Sequence, residues 1–377
     1  MTSDTARARS SHDSPFATID GQRYYVVDDI DRMPPFLMSI VSDGDRWMFL
    51  SSSGGLTAGR QHANHALFPY ETDDRIHRAA GFSGPATAIR PIGGTVDDVW
   101  RPVWGRPSSH RRRRLGKSVD GESAVFDERD DELGLAFRYV WRTSDRFGFI
   151  RTSTITNHGD TPIDVEIVDG LRNILPHGLD PSIYLRLGNL SNAYKRSEVI
   201  DARLRLATYS LESQVTDQTE PTVALRASVA WSIGLGSASV SLDPEAAADL
   251  ALRDINDGNL RTGVPGAYFL HDTITLEAGE CRTWSIVADV ALDQSNVMAL
   301  ISDLHQSTDV ARDLEESSNE TATAIREIMA RADALQCTGD EVATAHHLSN
   351  VTYNVMRGGV PMDGYDVDVE GFLRHLE

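Results

Sequence analysis

The chain has 377 residues, of which 40% are hydrophobic and 24% are charged, as in globular proteins with a large core. Its formal net charge of −20 argues against nucleic acid or an anionic membrane surface as a partner. No run of about 18 apolar residues occurs, so the sequence predicts no transmembrane helix. Two cysteines, Cys281 and Cys337, make no disulfide framework and suggest no metal site. We therefore expect a cytoplasmic protein without a cofactor.

The N-terminal segment 1–15 is polar and has no apolar stretch of the kind found in signal peptides. We expect it to be a disordered tail.

Residues 16–292 are dominated by a period of two, which is typical of strands with one buried face. Phe137, Tyr139 and Trp141, for example, alternate with smaller or charged residues. Turn signals separate these segments, such as Asp43-Gly44 and "NHGD" at 157–160. Because helical periodicity is almost absent, we predict a mainly β fold, a large antiparallel β-supersandwich over 16–292.

After Asp293 the apolar residues recur at steps of three and four, which predicts amphipathic helices. We expect a helical linker over 293–337, with Ser295 and Thr308 as N-caps. A second helical unit is predicted over 338–377, where Thr338 and Glu341 have capping-box spacing. Its first helix should end at Gly358 or Gly359 in a left-handed C-cap, before the "VDVEGFLRHL" stretch starts another.

Residues 51–78 form the segment richest in polar side chains, and we interpret them as a long loop. Arg60, Tyr70, Asp73 and Asp74 suit a sugar, because hydroxyl groups need both donors and acceptors and a pyranose face stacks on an aromatic ring. The alternative is a glycine-shaped turn with solvated charges. The histidines of this segment lack the glutamate spacing of a zinc hydrolase, so we predict no metal.

Trp100 is the other candidate sugar contact, together with Trp104 in "VWRPVWGRP". An exposed pair of indoles would form a stacking platform, whereas a buried pair would be ordinary core. The basic run Arg111–Arg114 is expected in a loop, either solvated or paired with nearby carboxylates. Adjacent aspartates are interpreted as surface charge, and no nucleophile, nucleotide or triad motif occurs, so no catalytic residue is predicted.

Several stretches resemble the N-terminal part of the cellobiose phosphorylase-like glycoside hydrolases and phosphorylases. They are "MFLSSSGGLTAGR", "LFPYETDD", "FRYVWRTSDRFGFIRTSTITNHG", "VDGLRNILPHG", "GVPGAYFL", "WSIVADV" and the closing "LSNVTYNVMRGGVPMDGY". The resemblance implies a galactose mutarotase-like supersandwich, followed over 338–377 by the first helices of a truncated (α/α)6 barrel. It places the general acid and the phosphate ligands in the barrel, so none can be assigned here.

The same resemblance implies that sandwich loops approach the mouth of the barrel. Arg60, Tyr70, Asp73 and Asp74 would then line a sugar subsite, and Arg357 would lie at the barrel end.

Three functions remain open at this point. In the first, the chain is the non-catalytic N-terminal region of an enzyme that acts on gluco-oligosaccharides. Its partner would be a C-terminal catalytic domain that this chain lacks, and the enzyme could form a homodimer. Alternatively it is a stand-alone carbohydrate-binding or mutarotase-like protein, which would need an acidic histidine and a basic glutamate. His62, His65, His158 and His177 are available for that role. A purely structural interaction module is the third option.

Overall fold

The structure is a computed structural model, and it describes residues 14–71, 73–93, 99–213, 225–249, 258–358 and 369–376. Most of the expected N-terminal tail therefore lies outside the described residues.

The described residues form nineteen β-strands and seven α-helices. The strands are β1 (Phe16–Ile19), β2 (Gln22–Asp28), β3 (Leu37–Ile40), β4 (Arg46–Ser51), β5 (Leu56–Arg60), β6 (Ala66–Phe68), β7 (Gly84–Pro91), β8 (Arg111–Ser118), β9 (Ala124–Asp130), β10 (Leu135–Ser144), β11 (Gly148–Asn157), β12 (Ile163–Ile174), β13 (Lys195–Asp201), β14 (Leu206–Leu211), β15 (Arg226–Ile233), β16 (Ser239–Ser241), β17 (Leu260–Thr262), β18 (Gly266–Leu276) and β19 (Cys281–Asp293). The helices are α1 (Asp73–Ile76), α2 (Pro181–Asn192), α3 (Ala246–Asp249), α4 (Gln294–Gln306), α5 (Val310–Arg331), α6 (Glu341–Met356) and α7 (Val369–Leu376).

The strands form one large sheet and two small ones. The large sheet has eleven strands in the order β1-β2-β8-β9-β10-β11-β19-β15-β14-β13-β17. The small sheets have the orders β16-β18-β12-β7 and β3-β4-β5-β6. Side chains from all three sheets, such as Leu50, Leu270 and Trp284, share one buried core. The predicted fold class, a mainly antiparallel β architecture followed by helices, is confirmed.

The hairpin of β10 and β11 shows how the period of two becomes a buried face. Tyr139 lies opposite Ser153, and Trp141 lies opposite Arg151, in an antiparallel register. Tyr139 and Trp141 are buried in the main core, whereas Val140 between them points to the other face and joins a separate cluster. The turn predicted after β11 is confirmed, because Gly159 N–H donates to the side chain of Asn157 over 2.8 Å.

The basic run was wrongly expected in a loop, because Arg111–Arg114 opens strand β8. Arg111 and Arg113 point inward and pair with Asp130 and Glu128 of β9. The two other arginines pair on the opposite face, with Asp131 and Asp28. The alternation of side chains along the strand thus places a carboxylate next to each of the four arginines. This confirms the interpretation that the basic run pairs with nearby carboxylates.

Helix α2 interrupts the region that was expected to contain strands and turns only. The signal for it was present in the sequence, because Asp180 accepts a hydrogen bond from Ser182 N–H as the N-cap and Pro181 occupies the first turn.

The helices after β19 begin at aspartates rather than at the predicted hydroxyl residues. Asp293, Asp309 and Asp340 are the N-caps of α4, α5 and α6. A carboxylate accepts hydrogen bonds from the free N–H groups of the first turn and also complements the helix dipole. It is therefore a better N-cap here than a neighbouring serine or threonine. Gly358 has φ +71°, which confirms the left-handed C-cap of α6.

Helices α5 and α6 pack against the sandwich. Ile325, Met329 and Leu348 form a buried cluster with Val41, and Ser144 hydrogen-bonds Ser317 over 2.7 Å. The helical part is therefore attached through its apolar face. The boundaries at 16–292, 293–337 and 338–377 stay predictions.

Candidate functional site

A cavity of about 420 Å³ opens where the ends of β5, β15 and β19 meet helix α4. Charged and amide side chains dominate its polar lining. They are Asp45, Arg60, Gln61, His65, Arg146, Arg226, Asp289, Asn296 and Asp303. Phe147 and Leu300 add an apolar side. We call this the Arg60 cavity.

Arg60 is held rigidly by two carboxylates. Its Nε and Nη2 atoms each donate to one oxygen of Asp289 over 2.8 Å, and its Nη1 donates to Asp45 over 2.8 Å. Burial opposes the charge of the guanidinium, but the hydrogen bonds and charges of Asp289 and Asp45 outweigh that penalty and raise the pKa of Arg60. The cluster therefore presents fixed donors and acceptors to the cavity.

Three histidines form a stack beside the cavity. The ring centroids of His62 and His65 lie 4.1 Å apart, and those of His65 and His177 lie 4.8 Å apart. The turn after β5 that carries the first two depends on Gly59, where a Cβ atom would lie 2.5 Å from the carbonyl oxygen of His65. The hydrogen bond from Leu175 N–H to the β6 backbone then brings the end of β12, and with it His177, to the same place.

The most deeply buried ring of the stack, His177, is held in the neutral state around pH 7. Burial lowers the pKa of His177 to about 4, and the positive charges of His65 and Arg226 add to this effect. The pKa of His65 is also lowered, by burial and by His62 and Arg226, while Asp45 acts in the opposite direction. Within the described ranges, no group of three histidine, cysteine or acidic side chains is arranged to hold a metal ion.

Among the predicted sugar contacts whose side chains the structure describes, Arg60 alone lines the cavity. Tyr70 is 44% exposed and lies edge-on to Trp47, with ring centroids 5.7 Å apart. Arg357 is exposed at the end of α6, with its guanidinium 5.6 Å from the ring centroid of Tyr353.

Residues 51–78, which were interpreted as a long loop and contain most of these candidates, are in part regular structure. Strands β5 and β6 and helix α1 lie within this segment. Asp73 and Asp74 open α1, and their side chains lie outside what the structure describes.

Trp100 is wrongly predicted as a sugar platform. Its side chain is fully buried, and Nε1 donates to Glu128 over 2.7 Å. The same carboxylate accepts a hydrogen bond from Val103 N–H and pairs with Arg113, so the indole belongs to a buried polar network. The core alternative is confirmed for this residue.

Sequence reasoning missed the partners of Arg60. Asp289 is the single charged residue within "TWSIVADVA" of β19, and this interruption of an apolar strand was the available signal. Asp45 and Arg226 lie at a hairpin loop and at a strand start, where charged residues are common and carry no signal by themselves.

In the part of the chain that the structure describes, no helix has the length and apolar character needed to cross a membrane.

Comparison with known proteins gives structural neighbours only. No family model matches the chain, and neither does any curated protein sequence. A protein described as a kojibiose phosphorylase from the human microbiome is similar over 84% of this chain and 35% of that chain, with 12% identity and a TM-score of 0.36. A protein described as an aldose 1-epimerase from Escherichia coli K12 is similar over 69% of this chain and 100% of that chain, with 10% identity and a TM-score of 0.35.

A galactose mutarotase-like protein from Clostridium acetobutylicum is similar over 71% of this chain and 98% of that chain, with 10% identity and a TM-score of 0.34. The chain spans about one third of the length of the phosphorylase and of a polysaccharide lyase, at 35% and 33%. TM-scores at this level support no argument about function, so the proposal below is built on the residues of this chain.

Proposed function

We propose that this chain is the non-catalytic β-sandwich region of a carbohydrate-active enzyme, a cytoplasmic glycoside hydrolase or phosphorylase acting on gluco-oligosaccharides. In this proposal the Arg60 cavity holds one sugar unit, and the sandwich supports a helical catalytic domain. The observation that carries the proposal is the fixed cluster of Arg60, Asp289 and Asp45 at the wall of a cavity of sugar size.

The chemistry of the cavity suits a pyranose. Each sugar hydroxyl both donates and accepts a hydrogen bond, and the carboxylates of Asp45 and Asp289 keep lone pairs that Arg60 does not use. Asn296 adds an amide that can serve either role, while Leu300 contributes an apolar contact for the C–H groups of the ring. Because the polar groups already hold one another, binding needs little reorganisation.

The same pairing argues against catalysis in this cavity. Glycoside cleavage needs two carboxyl groups on opposite sides of a sugar bond. Here Asp45 and Asp289 are both engaged by the guanidinium of Arg60, at different edges of it, rather than held apart for a sugar bond between them.

A supporting role toward further helices is suggested by the apolar groove between the β3–β4 hairpin and helices α5 and α6. Trp47, Phe49, Ile325 and Met356 line this groove of about 320 Å³. The apolar residues of α7 are also half exposed or more, for example Phe372 at 51%. Such surfaces are typical of contacts with another folded unit.

Isothermal titration calorimetry of the full chain with glucose, cellobiose and maltose tests the proposal. We expect saturable binding that Arg60→Leu abolishes and that Arg203→Leu, at an exposed position outside the cavity, preserves. We also expect no release of sugar, with or without phosphate. Failure of the intact chain to bind any of the three sugars, or cleavage by it, contradicts the proposal.

A mutarotase-like activity is the second candidate, because the imidazole of His65 and the carboxylate of Asp289 line the same cavity. Following α-glucose by NMR after mixing tests it. Faster anomer interconversion that His65→Gln removes would favour this candidate over the first, and an unchanged rate would exclude it.

A further inference from the structure

One end of the Arg60 cavity holds Arg226, whose side chain has no hydrogen-bond or ion-pair partner among the described residues, next to a stack of histidines. We propose that this end, formed by Arg226 and the stack of His62, His65 and His177, binds the anionic group of an acidic sugar, either a phosphate ester or a carboxylate. The inference rests on the proposed sugar-binding function and names the class of ligand.

The three arginines of the cavity differ in their pairing. Arg60 is neutralised by Asp289 and Asp45, and Arg146 pairs with Asp303 over 3.3 Å. Arg226 begins β15 with an exposed side chain, and it forms no ion pair or side-chain hydrogen bond with any described residue. Its donors are therefore free for a ligand in the cavity.

The histidine stack adds donors to the same end. His65 lines the cavity, and His177 behind it has a buried Nδ1 atom without a hydrogen-bond partner among the described residues. A buried polar nitrogen left in this state costs free energy unless a ligand or an ordered water meets it.

The carboxylates that face this end are already engaged. Asp45 binds Arg60, and Asp289 does so with both oxygens. Asp293, opposite Arg226 in the β15–β19 register, uses its carboxylate to cap α4 through Asn296 N–H and Ser295 Oγ. These carboxylates keep their negative charges, and Asp293 interacts with Arg226 electrostatically, but none of them forms an ion pair with its guanidinium in the part of the chain that the structure describes.

An oxyanion would give the guanidinium of Arg226 a direct hydrogen-bonding partner. Guanidinium groups match the geometry of phosphate and carboxylate oxygens, and charge-assisted hydrogen bonds are about twice as strong as neutral ones. The bound anion would also favour protonation of His65, whose pKa is depressed in the empty site. Binding is therefore expected to take up protons and to tighten as the pH falls from about 7 to about 5.

The experiment uses calorimetry of the full chain near pH 6 with four probes: glucose, glucose 6-phosphate, glucuronate and inorganic phosphate. We expect at least one acidic sugar to bind roughly tenfold more tightly than glucose. The two acidic sugars distinguish a phosphate site from a carboxylate site. Measurements in buffers of different ionisation enthalpy report the expected proton uptake.

Three variants separate the contributions. Arg226→Gln should remove the preference for the acidic sugar and leave glucose binding, while Arg203→Gln, an exposed arginine elsewhere, should change neither. His65→Phe keeps a stacking ring without a titratable nitrogen and should abolish the proton uptake.

The outcomes are distinguishable from those of the proposed function. Binding of glucose with no preference for either acidic sugar overturns the inference and leaves the sugar-binding proposal standing. A preference that survives in Arg226→Gln also overturns it. Arg226-dependent binding of inorganic phosphate without binding of any sugar supports an anion site but contradicts the proposed function. Absence of all binding contradicts both.

Discussion

The guanidinium of Arg60 and the carboxylate of Asp289 form two parallel hydrogen bonds of 2.8 Å although 229 positions separate the residues in the sequence. Both side chains are largely buried, with 19% and 10% of their surfaces exposed. The pair ties the end of β5 to β19 and thereby joins a small sheet to the large one at the wall of the cavity.

Replacing Asp289 by asparagine should therefore destabilise the fold as well as the site. The amide cannot balance the guanidinium, so Arg60 would keep Asp45 as its one charged partner. We expect a loss of about 2 kcal/mol in the free energy of unfolding, measured with urea. Asp303→Asn serves as the matched control, because its ion pair with Arg146 is half exposed and should contribute less than about 0.5 kcal/mol. Equal effects of the two substitutions would contradict a special role for Asp289.

Glu122 should make stability depend on pH near neutrality. Its carboxyl group is buried between β8 and β9, and burial raises its pKa to about 7. Because the folded pKa lies above the unfolded value of 4.5, this contribution to stability is complete below about 4.5 and is lost as the pH rises through 7. Glu122→Gln, which keeps the shape but never ionises, should thus be more stable than the parent at about pH 8 and similar to it at about pH 4.5. Urea unfolding at both pH values measures the difference, and an equal gain at both would contradict the assignment.

Asp333 offers a site for stabilisation. It follows the C-cap of α5 with φ +59°, a left-handed conformation that glycine adopts without strain. Its exposed carboxylate bonds only Gln336 among the described side chains. Asp333→Gly should raise the free energy of unfolding by about 0.5 kcal/mol. Glu320→Gly, in the exposed middle of the same helix, should lower it by about 1 kcal/mol. A loss of stability in both variants would refute the argument.

The two lysines of the chain, Lys117 and Lys195, should resist a lysine-specific protease in the folded state. Both lie within strands, Lys195 buried and Lys117 partly buried, and burial lowers the pKa of each to about 8. Cleavage then needs unfolding of a strand, so we expect it to be at least about a thousandfold slower in native buffer than in denaturant. Mass spectrometry of the fragments gives the rate. An arginine-specific protease, for which exposed sites such as Arg186 exist, serves as the control. Fast native cleavage at Lys195 would show that β13 is not stably paired.

The regular parts of the sandwich were predictable because apolar and polar residues alternate over the whole length of strands such as β10 and β11. Strands β5 and β6 were missed, since five and three residues with glycine and alanine among them carry no clear period. The arginines of β8 looked like a loop because the carboxylates that neutralise them come from β9, a separate strand.

By itself the amino-acid sequence determined the mainly β class, the switch to helices after Asp293 and the polar character of the segment around Arg60. These features depend on local periodicity and composition, which a short window of residues contains. Only the tertiary structure decided that Trp100 is core, that Asp289 holds Arg60 and that three histidines stack beside Arg226. Such contacts join residues far apart in the chain, and strand order and register, rather than sequence spacing, bring them within hydrogen-bonding distance.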